Sequence, residues 1–393
     1  MGKYNFDEIV NRWHTDCLKY DDMSNPYLPK DREIVPMWVA DMDFACPQPI
    51  LDALKARIDQ RVLAYASYTL PTEYTDAVCG WLKRRHNITA ARDNISISSA
   101  VVDIYREYLA SQTKNGDGIM VFTPSYTYLW TPIAEYDRKA VSLHLLNDGN
   151  GYYTINWDEF EKEASKPENT VLVLCSPHNP TGRVWTEEEL KKIVDICFRN
   201  NVKIFTDEIH HDLIRNDRHM ISLAALFPNE PRITTVTSAA KTFNIAGLQH
   251  AYCITYDPAF KEANDNSRYC GSPNVLAMTA VTAALNGSCD EWVDELTQYL
   301  DRNFVYLENY VKENLPRVKM YRSEGTYLAW LDFRAYGLTD EELDRKVSAT
   351  GLYLEFGNAN FVDNATGFGR VNLGCPMSTV KKACALLKEA FES

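Results

Sequence analysis

The segment Thr235-Val-Thr-Ser-Ala-Ala-Lys241-Thr-Phe-Asn244 puts one lysine where a lysine is uncomfortable. β-Branched residues run from Ile233 to Thr237, small residues follow at Ser238, Ala239 and Ala240, and the chain turns apolar again through Phe243, Ile245, Ala246 and Leu248. That is the pattern of a buried strand ending in a tight turn. A lysine there must reach solvent, pair with an acid, or be kept for its amine, whose pKa burial lowers toward that of a usable nucleophile. A lone lysine most often reaches solvent, so its partners elsewhere in the chain decide the matter.

Three other apolar runs end in polar residues. Val171–Cys175 leads into Ser176-Pro-His-Asn-Pro-Thr-Gly182, whose prolines and glycine fix a loop around Asn179. Val202–Thr206 leads into Asp207-Glu-Ile-His-His-Asp212, and Ile119–Thr123 into Pro124-Ser-Tyr126. Taken singly these read as a turn, a helix cap and a packing aromatic. Taken together they offer an amine, an acid, an amide and a flat aromatic, each at the end of a different strand. Ligands of an open parallel sheet bind beyond those ends. The set matches the needs of pyridoxal 5'-phosphate (PLP): a lysine to bond it, a carboxylate for its ring nitrogen, a donor for its ring oxygen and a stacking partner. Lys241, Asp207, Asn179 and Tyr126 take these roles. His210 is the best placed of the nearby histidines to touch the ring oxygen, although a histidine beside a core strand is more often a satisfied side chain.

The elements that must position this set follow from periodicity. Strands are predicted at Ile95–Ser98, Ile119–Thr123, Ala140–Leu145, Val171–Cys175, Val202–Thr206, Ile233–Ser238 and Ala251–Thr255. A helix from Glu187 to Asn200 is marked by a Thr186/Glu189 capping box and an apolar stripe. Strands that are apolar nearly throughout, alternating with helices, predict an α/β fold with a mostly parallel seven-stranded sheet covered on both faces. After about Gly287 the pattern changes to a long helix near 292–315, a strand in Gly325–Phe333, a helix near 340–349 and a final segment from Phe368 to Pro376. The expected division is a large cofactor-binding domain over 47–287 and a smaller α/β domain combining 1–46 with 288–393.

Composition removes other classes. The 393 residues carry a formal net charge of -13, which argues against nucleic acid or an anionic membrane as partner. Ten cysteines are scattered singly, without disulfide or metal-ligand spacing, so no metal is expected and a reducing cytoplasm is. No apolar run has the length of a membrane span.

The words Met37-Trp-Val-Ala-Asp41-Met-Asp-Phe44, Ser176–Trp185, Thr206–Asp212, Lys241-Thr-Phe-Asn-Ile-Ala-Gly-Leu248, Ser272-Pro-Asn-Val-Leu-Ala277, Gly325–Asp332 and Arg370-Val-Asn-Leu-Gly-Cys-Pro376 occur in an order that resembles fold-type I PLP enzymes. The likeness is to the class I/II aminotransferase superfamily, and within it to the cystathionine β-lyase or cysteine-S-conjugate β-lyase (C–S lyase) branch. It implies the aminotransferase fold, α,β-elimination from cystathionine or another cysteine S-conjugate, and transamination as the alternative. It makes Arg370 the clamp for the substrate carboxylate, a task suited to a planar fork. It places Asp41 with the substrate, and Tyr65 at the phosphate of a partner subunit in a homodimer.

The phosphate cup departs from the pattern. Ala64 stands where a glycine is usual, the run Ser98-Ser-Ala-Val-Val102 lacks the usual proline with glycine or serine, and Ala240 replaces a serine. Ser98, Ser99, Ser238 and the amides of Ala100 and Val101 remain to bind phosphate. A weaker hold on the cofactor is therefore expected, and that departure is the only support for a third reading, a non-catalytic binding or regulatory protein.

Overall fold

The computed structural model describes residues 2–67, 69–149, 151–267 and 274–392, so Ser272 and Pro273 of the fifth word lie outside the described residues. All seven expected strands form: β1 Ile95–Ser98, β2 Gly118–Thr123, β3 Lys139–His144, β4 Asn169–Cys175, β5 Lys203–Asp207, β6 Ile233–Thr237 and β7 Ala251–Thr255. They make one sheet in the order β1-β7-β6-β5-β4-β2-β3. The inner strands are buried on both faces, which is why their sequences are apolar without alternation.

The exception to parallel pairing is β7, antiparallel to both β6 and β1. The stretch joining β6 to β7 is occupied by a short helix, Ala239–Phe243, and a 3-10 turn, Ala246–Leu248. Asn244 and Gln249 reverse its direction in the left-handed region. That leaves no room for a covering helix long enough to make a parallel crossover.

The helix expected from Glu187 spans Glu187–Arg199 and starts with the reciprocal capping box: the Thr186 hydroxyl accepts from the Glu189 amide at 3.2 Å while the Glu189 carboxylate accepts from the Thr186 amide at 2.9 Å.

A second, antiparallel sheet has the order Lys319–Tyr321, Leu328–Asp332, Phe368–Asn372, Glu355–Phe356. Val35–Pro36 pairs in parallel with Leu352–Tyr353, tying the N-terminal segment to this part of the chain. The helix Asp290–Asn314 serves both sheets: Trp292, Val293 and Leu296 pack with Trp81 and Phe243, whereas Phe304, Leu307 and Val311 pack with Ala329, Leu331 and Val371. Nine cysteines of the described residues are free thiols. No helix among the described residues is long and apolar enough to cross a membrane.

Candidate active site

Register puts the polar ends of the strands at one level. Cys175 of β4 pairs with Asp207 of β5, Asp207 with Val236 of β6, and Ser98 of β1 with Ala251 of β7. The residues that follow these positions therefore emerge along one edge of the sheet, the edge at which open parallel sheets bind ligands.

Lys241 is held there by its neighbours. Ser238 caps the short helix, its hydroxyl accepting from the Ala240 amide at 3.0 Å and donating to the His250 carbonyl at 2.6 Å. The Thr242 hydroxyl donates to Asp212 at 2.7 Å, and Phe243 packs against Trp81 and Trp292. The Lys241 amine donates to the Ala40 carbonyl at 2.6 Å, which also accepts from the Tyr327 hydroxyl at 2.8 Å. Burial lowers the lysine's pKa; Asp41 and Asp207 oppose that shift and Arg370 adds to it. The amine is thus nearer to its neutral, nucleophilic form than a surface lysine.

Asp207 ends β5 and is buried, with the Ile209 amide donating to one carboxylate oxygen at 3.0 Å. Burial pushes its pKa up to about 6, against the pull of that amide and of Lys241. An acid raised in the folded state costs stability above that pKa, and the cost vanishes as pH falls through about 6 toward the ordinary value near 3.8. At neutral pH the cost is about 3 kcal/mol. Asp207→Asn should therefore raise the denaturation midpoint of the ligand-free protein at pH 7.5, and the gain should disappear at pH 4. Equal midpoints at both pH values would contradict this account of Asp207.

Arg370 lies in the middle of Phe368–Asn372 and is fully buried. One terminal nitrogen donates to Asn179 Oδ1 at 3.1 Å; the other bonds the Glu355 carboxylate and, at 3.0 Å, the Trp38 carbonyl. Its guanidinium carbon lies 4.9 Å from the centre of the Tyr126 ring. The structure therefore brings Asn179, Tyr126 and Arg370 together at the junction of the two sheets. Because Asn179 Oδ1 faces Arg370, its Nδ2 remains as a donor. His210 packs edge-on to Tyr327 at 5.7 Å, and burial lowers its pKa to about 3, so it is neutral.

The residues expected at the phosphate cup are mostly occupied. The Ser99 hydroxyl donates to Asp103 at 2.6 Å, and Ser238 is spent on its helix cap. Ala100 precedes the first turn of the helix Val101–Gln112 and caps it without a side-chain bond. Ser98 Oγ and Thr235 Oγ1, in contrast, are buried with no partner, as are His210 Nδ1 and Arg370 Nε. Tyr65 is 99% exposed, so this chain alone does not bring it into the site. Asp41 pairs with Arg12 and contributes to the field around Lys241.

Two side chains escaped the sequence reading. Glu355 faces Arg370 directly across the strand pair, and its carboxyl is raised by burial and pulled back by Arg370. A lone acid in the apolar run Leu352-Tyr-Leu-Glu-Phe356 was the available signal. Tyr327 lay within a quoted word but had no assigned role.

Comparison with known proteins agrees with this geometry. The chain is 34% identical over 392 residues to a cystathionine beta-lyase, PatB, of Bacillus subtilis, spanning 98% of this chain and 100% of that one. It resembles the crystal structure of cystalysin from Treponema denticola, which contains a pyridoxal 5'-phosphate cofactor, with a TM-score of 0.94, 32% identity and 99% of each chain covered. It also resembles the PLP-bound C-S lyase from Staphylococcus hominis, with a TM-score of 0.90, 31% identity, and 100% of this chain and 99% of that one covered. The profile of the family described as aminotransferase class I and II matches residues 32–387, and the chain belongs to that family.

Proposed function

We propose that the protein is a PLP-dependent carbon–sulfur β-lyase, cleaving cystathionine or a related cysteine S-conjugate to a thiol, pyruvate and ammonia. The observation that carries this reading is the full-length likeness to a cystathionine beta-lyase together with a complete set of Lys241, Asp207, Asn179 and Arg370. The residues suit the cofactor: Asp207 offers a buried carboxylate for a ring nitrogen, and Ser98 and His210 hold polar atoms without partners. When bound, PLP supplies a ring that withdraws electrons from the substrate Cα. Lys241 Nζ would bond the cofactor, and it is the amine placed to take the proton from the substrate Cα. Asp207 would keep the ring nitrogen protonated, Asn179 Nδ2 would donate to the ring oxygen, and Tyr126 would cover one face. Arg370 turns its fork to the substrate carboxylate, with Asp41 bordering the same space. Ala100 and Val101 would offer amides to the phosphate, and Ser99 and Ser238 would donate to it by releasing Asp103 and the His250 carbonyl.

The same reading makes the protein a cytoplasmic homodimer in which Tyr65 reaches the partner's phosphate. It divides each chain into a cofactor-binding domain over 47–287 and a small domain from 1–46 and 288–393. Membership of the family favours a second reading, transamination, in which Lys241 would move the Cα proton on and the carbon–sulfur bond would stay intact. Incubation with cystathionine and no keto acid is expected to release pyruvate continuously. No pyruvate, but one equivalent per site of the keto acid of intact cystathionine until a keto-acid acceptor is added, would replace the lyase with an aminotransferase.

A further inference from the structure

We propose that His86, His211 and Asp212 form a binding site for a divalent first-row transition ion, zinc in the first instance, separate from the site of Lys241. None of the three touches the reacting groups, although Asp212 also accepts from the Thr242 hydroxyl beside Lys241. His86 ends the helix Thr72–His86 and is 126 residues from Asp212, so no local spacing could show the cluster. Each residue offers one ligand atom, and these lie within 4.8 Å of one another.

Both histidines turn Nε2 to the same carboxylate. His86 Nε2 lies 2.6 Å from one Asp212 oxygen, and His211 Nε2 lies 3.5 Å from the other. The rings stack at 3.8 Å with 13° between their planes, so the two nitrogens approach the carboxylate from the same side. Two imidazoles and a carboxylate are the donor set that zinc takes with an open fourth position. An ion between them replaces the hydrogen now held between His86 and Asp212, and the neutral ring keeps that hydrogen on Nδ1.

The surroundings can hold an ion. All three side chains are at most 5% exposed, and the Thr237 hydroxyl lies 3.3 Å from His211 Nε2. The triad borders a cavity of about 370 Å³, with room for water to complete the coordination. Four arginines line that cavity, each paired with at least one acid: Arg84 with Asp290, Arg85 with Asp294, Arg215 with Asp301 and Glu308, and Arg218 with Glu324, which Arg183 shares. Among the described residues Asp212 pairs with no lysine or arginine, only with the two imidazoles and the Thr242 hydroxyl.

The test uses the cofactor-loaded protein, dialysed against a chelator and then titrated with Zn²⁺ or Co²⁺. One ion per chain is expected by elemental analysis after gel filtration, with the visible Co²⁺ bands of a four-coordinate site. His211→Ser and His86→Gln should each weaken binding by at least about tenfold while leaving the circular dichroism and the cofactor's absorbance unchanged. His219→Ala, on the cavity wall but outside the triad, should bind like the parent. The proposal is overturned if the parent retains no ion, or if both triad variants retain as much as the parent, which would place the ion elsewhere.

Discussion

Lys241→Ala is expected to reduce pyruvate release from cystathionine by roughly four orders of magnitude, because one change removes both the bond to the cofactor and the base for Cα. The fold should survive. The amine makes one hydrogen bond, to the Ala40 carbonyl, which keeps its second donor in Tyr327. Burial of the amine is a cost that the variant no longer carries, so its melting temperature should match or exceed that of the parent. Absorption spectra distinguish this from unfolding: the variant should lose the visible band while keeping its far-ultraviolet dichroism. Retained turnover, or an unchanged visible spectrum, would remove Lys241 from the chemistry and favour a binding protein on the same fold. Mixing Lys241→Ala with Tyr65→Phe chains supplies a readout for the shared site, since only a dimer that exchanges Tyr65 can rebuild one intact centre.

Arg370→Ala should have the second large effect, and it should act on stability as well as on binding. Arg370 and Glu355 are both buried and face each other across the strand pair. Removing the guanidinium strands a carboxylate that burial already raises, and breaking such a pair costs about 3–5 kcal/mol. Substrate affinity should fall with it, because no fork is left to meet the α-carboxylate. The double change Arg370→Ala/Glu355→Ala separates the two roles. Denaturant unfolding should show most of the lost stability recovered, whereas activity should stay lost. A double variant that regains turnover would mean that Arg370 serves only the fold. Lysine at 370 should not substitute, since it cannot contact Asn179, Glu355 and Trp38 at once as the planar fork does.

The opposite histories of Lys241 and Glu355 show what the sequence made legible. Lys241 stood out because a strand of β-branched residues and a run of small residues led into it, and Asp207, Asn179 and Tyr126 stood out for the same local reason. Glu355 carried a weaker version of that signal, one acid in a five-residue apolar run, and its partner Arg370 lies fifteen positions further on. The capping box at Thr186 and Glu189 was readable because both halves lie within a single helical turn. His86 and Asp212 were not, because the turn that joins them is the whole fold.

Residue order by itself determined the seven strands, the apolar sheet they build and the polar residue at each strand's end, since all of these depend on interactions between near neighbours. Only the tertiary structure decided that β7 runs against its neighbours, that Asn179 and Tyr126 meet at Arg370, that Glu355 answers Arg370, and that two histidines share Asp212. Those outcomes depend on which distant strands share an edge. Burial then fixes their energies: it lowers the pKa of Lys241 and raises that of Asp207, and no spacing in the sequence measures how deep a side chain lies.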